Sequence, residues 1–384
     1  MAADDRHAWS EPLHVAMLAP PWIEVPPQAY GGIESVVALL CDGLVRRGHD
    51  VTLFASRGSS SSAEVEPVLD RPHPDQINFT LHEADHVARA FEKIERGTAH
   101  GDRFDVVHDH CGFVALAMAD RLAVPLVHTV HGPFTEGTTP FYAAHGRKAT
   151  IVALSRSQLS EAPADLPRTR IVPNPIEVRD SPYEADKDDY LLWLGRMHED
   201  KGPHRAIDAA RLAGIRVLLA GPVQPGQEEF FDREVIPRLD GERARYLGEV
   251  DAGEKQSLFA HARALLMPIR WPEPFGMVMV EALACGTPVI AFPEGAATEI
   301  VVPGKNGYLV SDEEEMARAA RDCAISPSEC RRFVLERYDT AQISTLYEEA
   351  YRSAIEPRKR LPAAGGRANG HRDVALEPAG STRR

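Results

Sequence analysis

The sequence predicts an α/β protein of two doubly wound, Rossmann-like units facing each other across a cleft. Short apolar runs alternate with stretches of helical spacing in two successive series, the pattern of parallel strands covered on both faces by crossover helices. An acidic, turn-rich segment at 179–189 parts the series. At 384 residues and 43% hydrophobic content, the chain can build two cores of ordinary domain size.

Residues 1–11 are polar and are expected to be disordered. The first domain, 12–180, has strand candidates at 13–19, 50–55, 105–110, 126–132, 151–155 and 170–173. Its first helix shows Ile33, Val36, Val37, Leu40, Leu44 and Val45 on one face, with Gly48 after its end. The second domain, 181–335, repeats the pattern at 190–195, 216–220, 245–248, 264–268, 288–292 and 308–310. Across 336–356, Ile343, Leu346, Tyr347, Ala350, Tyr351 and Ala354 recur at helical spacing and predict a closing amphipathic helix. The remainder, 357–384, is Pro-, Gly- and Arg-rich without periodicity and is expected to be disordered.

A net charge of −14 argues against nucleic acid or an anionic membrane surface as the main partner. The five cysteines form no C-x-x-C pair and sit mostly in apolar segments, which fits reduced core thiols in a cytosolic protein. No apolar secretory h-region is visible near the N-terminus. The apolar run 275–292 is broken by Glu281, Gly286 and Pro288, so no transmembrane segment is expected.

That run belongs to the most informative stretch, 271–291. A loop carrying Glu273 between two prolines turns at Phe275-Gly276 into a helix that Gly286 and Pro288 stop. The first turn of such a helix, at Phe275, Gly276, Met277 and Val278, has backbone N–H groups without intrahelical partners and can donate to an anion. Glu281 lies roughly 7.5 Å beyond Gly276 along the axis. Two carboxylates strung out in this way could accept from a sugar at one end and a ribose at the other, the shape of a nucleotide sugar.

Three other segments carry candidate chemistry. The loop 20–32 contains Trp22 and Tyr30 and ends in Gly31-Gly32, whose bare amides suit a phosphate, followed by Glu34. After the first strand of the second domain come Arg196 and Lys201, a rigid fork and a mobile point charge; alone they read more readily as solvated surface charge. His131 closes a strand, where a lone histidine is more often structural than catalytic. His108 and His110 share a strand face, but no further ligands stand at metal-site spacing.

The W-P-E-P-F-G-x4-E-A-x3-G-T-P stretch resembles retaining glycosyltransferases of family 4, which have the GT-B fold. The resemblance extends to G-R-x4-K-G at 195–202 and T-x-H-G at 129–132. It implies that Arg196, Lys201, Gly31 and Gly32 attend the donor diphosphate and that Glu273 with the amides after Phe275 holds the donor sugar. It further implies that Glu281 holds the ribose, that Val250 borders the nucleobase and that His131 reaches the sugar. The last helix is expected to cross back to the first domain. The Y-G-G-x-E pattern at Tyr30, Gly31, Gly32 and Glu34 resembles a subgroup that includes antibiotic-tailoring enzymes, and with Trp22 it is expected on the acceptor side. Asn174-Pro175 stands where the family has Asn-Gly, so the interdomain turn is expected to differ.

The expectation is therefore a cytoplasmic hexosyltransferase that needs no cofactor or metal. Its partners are a nucleotide-sugar donor and a hydroxyl-bearing acceptor, and contact with a lipid-linked acceptor at a membrane stays open. A nucleotide-sugar epimerase and a non-catalytic sugar-nucleotide binder are the alternatives. A glycosidase would need facing carboxylates without adjoining cations.

Overall fold

The computed structural model describes residues 11–28, 31–77, 79–100 and 103–359. A first sheet is formed by β1 (His14–Leu18), β2 (Asp50–Ser56), β3 (Glu64–Leu69), β4 (Val106–Asp109), β5 (Leu126–Thr129), β6 (Thr150–Ala153) and β7 (Thr169–Ile171). A second is formed by β8 (Tyr190–Leu194), β9 (Arg216–Ala220), β10 (Ala244–Tyr246), β11 (Ala264–Met267), β12 (Val289–Ala291) and β13 (Gly307–Leu309). The orders are β3-β2-β1-β4-β5-β6-β7 and β10-β9-β8-β11-β12-β13, with every pairing parallel. In each sheet the order reverses beside the unit's first strand, β1 or β8, and ligands of doubly wound sheets sit outside the strand carboxyl ends at such a switch point.

Each predicted strand lies within a few residues of its expected bounds, and β3 is an addition. Glu64, Glu66 and Pro67 make that segment look like surface turn, yet it pairs with β2 at the sheet edge, where a proline costs no ladder bond.

The chain crosses between the units twice, side by side. Ile176 donates its amide to Tyr338 O (2.9 Å), and Thr340 donates to Ile176 O (3.0 Å). Within the segment 336–356 the apolar periodicity begins at Thr340, and the helix begins there too and runs on to Lys359. Pro327–Arg337 is a separate helix, and Asp339 Oδ1 accepts from Ala341 N (3.1 Å) at the start of the new helix. It returns to the first unit and lays Ile343, Tyr347 and Tyr351 against Val37, Leu40 and Leu44 of the helix Gly32–Arg46. Gly43 permits this approach, because a Cβ there would collide with Ser344 Oγ. The return helix extends three residues into the segment 357–384; the rest of that segment, and residues 1–10, lie outside the described residues. No helix among the described residues is long and apolar enough to cross a membrane. All five cysteines are free, four of them buried.

Candidate active site

The buried strand β8 delivers the first cations. Beyond it, Gly195 N donates to Ala220 O (3.1 Å) and Met197 N to Pro222 O (2.9 Å), so the loop is stitched to the neighbouring β9 exit. Gly202 then turns in the left-handed region (φ 72°), where a Cβ would strike Pro268 O. Trp193 Nε1 donates to Lys201 O (3.1 Å) and fixes that backbone. Arg196 Nη1 donates to Gln224 Oε1 (2.9 Å).

The loop after β11 meets these cations. Ala296 N donates to Glu273 O (2.9 Å), which anchors the acidic residue. The Glu273 carboxylate forms an ion pair with Lys201, and its Oε2 accepts from Trp271 Nε1 (2.9 Å), while the Lys201 ammonium also lies 4.3 Å from the Trp271 ring centre. Gly276, left-handed at φ 86°, opens the helix Met277–Ala284 without a side-chain cap. Its first amides are thus available to a ligand. On the same helix Glu281 accepts from Lys255 Nζ (2.8 Å).

On the opposite wall, His131 Nε2 and His110 Nδ1 share a hydrogen bond of 2.8 Å. The chain of contacts continues inward: His110 Nε2 lies 3.3 Å from His108 Nδ1, and His108 bonds Tyr351 OH (2.7 Å) and Thr129 Oγ1 (2.8 Å). Burial, reinforced by His128, pushes His131 down to about 3, and burial holds His108 and His110 well below the usual imidazole range. These rings are neutral donors and acceptors at physiological pH. The His108/His110 pair is therefore a support for His131, and among the described residues no group of three or more His, Cys, Asp or Glu is placed to hold a metal ion.

Two cavities meet here. The larger, of about 770 Å³, brings together Trp22, Gly32, His131, Arg196, Lys201, Glu273, Phe275, Gly276 and Met277 from both units. The smaller, of about 260 Å³, is lined by Gly31, Gly32, Arg196, Lys201, Val250, Met277, Val278 and Glu281. Gly32, Arg196, Lys201 and Met277 line both and form the junction.

Of the residues expected on the acceptor side, Trp22 lines the large cavity and Glu34 does not. Tyr30 lies outside the described residues. Glu34 is buried (4% exposed) and is not among the lining residues of either cavity. The helix starts at Gly32, so Glu34 is rotated about 200° from that cavity-facing residue. Burial raises its carboxyl to about 7.

Sequence reasoning missed Lys255 and Gln224, partners of Glu281 and Arg196, and Glu83 of the helix Thr80–His100, which lines the large cavity. It treated Asn174 only as a hinge departure. Asn174 lines the large cavity, and its buried Oδ1 has no hydrogen-bond partner among the described residues. The one available signal was His-x-His on a strand, which placed His108 and His110 on one face; that His110 meets His131 emerges only from the fold.

Comparison with known proteins gives a consistent picture. Residues 30–180 match the family model described as Glycosyltransferase Family 4, and residues 176–337 match Glycosyl transferases group 1. The chain is 26% identical over 400 residues to the glycogen synthase of Mycobacterium tuberculosis, covering 88% of this chain and 96% of that one. It is 27% identical over 338 residues to the D-inositol 3-phosphate glycosyltransferase of Pseudarthrobacter chlorophenolicus, covering 73% and 78%. Among solved structures it resembles a glycosyltransferase involved in avilamycin A biosynthesis, with a TM-score of 0.65 and 26% identity over 90% of this chain and 98% of that chain.

Proposed function

The chain belongs to the GT-B glycosyltransferases described by the family 4 and group 1 models, and on that premise we propose a metal-independent, retaining transfer of a hexose from a nucleotide diphosphate sugar to an acceptor hydroxyl. The observation that carries the reading is the junction: Arg196, Lys201 and the uncapped helix start at Met277 border both cavities, where a diphosphate would link a nucleoside to a sugar. The nucleoside lies in the smaller cavity, its ribose hydroxyls donating to Glu281 and its base near Val250. The sugar projects into the larger one, toward Glu273 and His131.

As the bond between C1 and the β-phosphate oxygen breaks, charge grows on the leaving group. Arg196, Lys201 and the helix amides are fixed in advance to receive it. The acceptor oxygen bonds to C1 from the same face, and its proton passes to the departing phosphate oxygen. Glu273 holds sugar hydroxyls, and closure of the two units excludes water. The names of the relatives leave the acceptor open between an oligosaccharide and a phosphorylated inositol.

Thermal shift with UDP-, GDP-, TDP- and ADP-sugars in the absence of metal tests the donor site, because a ligand bound to the native state raises Tm by mass action. One nucleotide family is expected to stabilise the wild type and to lose its effect in Arg196→Ala/Lys201→Ala. An unchanged response in that variant refutes the placement. Retention is read from the anomeric configuration of the product by NMR.

A further inference from the structure

The two walls of the large cavity differ in charge. Its lysine and arginine among the described lining residues, Arg196 and Lys201, both come from the second unit. The first unit contributes none. Its histidines in the wall are held neutral by burial, and its one acidic contribution among those residues is Glu83, 7% exposed, whose carboxyl burial pushes above the usual carboxylate range against the lowering effect of two amide hydrogen bonds. Glu83 Oε1 accepts from the amides of Phe113 (2.7 Å) and Val114 (2.9 Å), which fixes the turn that presents Phe113. The Phe113 ring is 41% exposed and meets Phe141 edge-on at 5.0 Å and Tyr142 at 6.1 Å. Thr80, Thr135 and Thr138 complete this wall.

Building on the transferase reading, we propose that the acceptor is an uncharged, hydroxyl-bearing molecule with an apolar or aromatic face that lies on Phe113, and that phosphate-bearing acceptors are rejected. Glu83 and the threonines supply hydrogen bonds to hydroxyls, and the aromatic cluster supplies a flat apolar surface. A phosphate on this wall would be stripped of water beside an acidic side chain and would find no lysine or arginine of the first unit among the described lining residues to pair with. The two cations across the cleft are committed to the donor.

The test is calorimetric titration of 4-nitrophenyl β-glucoside and of its 6-phosphate into the full chain, its Phe113→Ala variant and its Thr80→Lys variant. Both altered positions are exposed, and the melting temperature of each variant without ligand checks that the fold is kept. The neutral glucoside is expected to bind at least about tenfold more tightly than the phosphate, and Phe113→Ala to weaken it about tenfold through loss of apolar contact. Thr80→Lys is expected to strengthen the phosphate probe about fivefold by supplying the missing cation. The proposal is overturned if the phosphate binds the wild type as tightly as the neutral glucoside, if neither probe binds, or if Phe113→Ala leaves the neutral probe unchanged. The thermal response of the same three proteins to nucleotide sugars reports separately on the donor site, so failure of either reading is recognised by itself.

Discussion

Replacing Glu273 by Gln separates the two tasks of the acidic loop. In the structure the carboxylate holds Lys201 in an ion pair whose side chains are 12% and 16% exposed, and Trp271 Nε1 donates to the same oxygen at 2.9 Å. Gln keeps the volume and can still accept from Trp271. It leaves the Lys201 ammonium without its counter-charge and removes a negative charge from the path of a diphosphate. Two unit charges about 4 Å apart interact by about 4 kcal/mol at an effective dielectric constant of about 20. Desolvation of Lys201 cancels most of this, and Arg196 and the helix amides share the phosphate. A gain of about 1 kcal/mol, roughly fivefold in Kd, is therefore expected for the nucleoside diphosphate alone. Sugar transfer moves the other way, because a charged acceptor of sugar hydroxyls is lost; kcat/KM is expected to fall roughly 30- to 150-fold, or about 2–3 kcal/mol. Calorimetry of the diphosphate and a nucleotide-release assay read the two effects. Unchanged or weaker diphosphate binding, together with turnover within about threefold of wild type, refutes the assignment.

Three further outcomes are expected. Glu281→Gln is expected to lower nucleotide-sugar affinity about tenfold by weakening the ribose contact proposed for it, and to leave inorganic pyrophosphate binding unchanged, as competition calorimetry will show. Glu34 is a carboxyl raised from 4.5 to about 7 in the folded state, so the native form favours the proton and stability is lost as pH rises through that window. Glu34→Gln is then expected to stabilise the protein by roughly 2–3 kcal/mol above the window, with the difference vanishing below pH 4.5, as urea denaturation at several pH values will test. Tyr351→Phe removes the hydroxyl bonded to His108 at 2.7 Å and is expected to cost about 1–2 kcal/mol of stability, measured by the urea midpoint.

The fold was legible because most strands are buried runs bounded by turns, such as Leu191 to Leu194 or Val289 to Ala291, whose type does not depend on partners. β3 was not, since its acids and proline are acceptable only at an edge, and edge position is a property of the assembled sheet. In the site, Arg196, Lys201, Glu273 and Glu281 stood out by spacing. Their pairings did not: Lys201 meets Glu273 across 72 residues, and Lys255 meets Glu281 from another helix. Glu34 was misplaced because a loop motif gives no rotation angle until the helix start is known. Glu83 and Phe113 were missed because one exposed aromatic and one acid, 30 residues apart, carry no pattern until folding joins them.

The return of the last described helix to the first unit also sets an order of completion during synthesis. The seven strands of the first sheet leave the ribosome early, yet the face of Val37, Leu40 and Leu44 waits for Ile343, Tyr347 and Tyr351. The second sheet has its strands and covering helices in place once residue 337 has emerged. The half that is made first is therefore finished last. His108 receives its hydroxyl partner Tyr351 from that same helix, so the support behind His131 arrives only once that helix has been made. A chain stopped at residue 337 would leave the first unit's apolar face of Val37, Leu40 and Leu44 without Ile343, Tyr347 and Tyr351, which makes the final twenty described residues a check on completion as much as a strap.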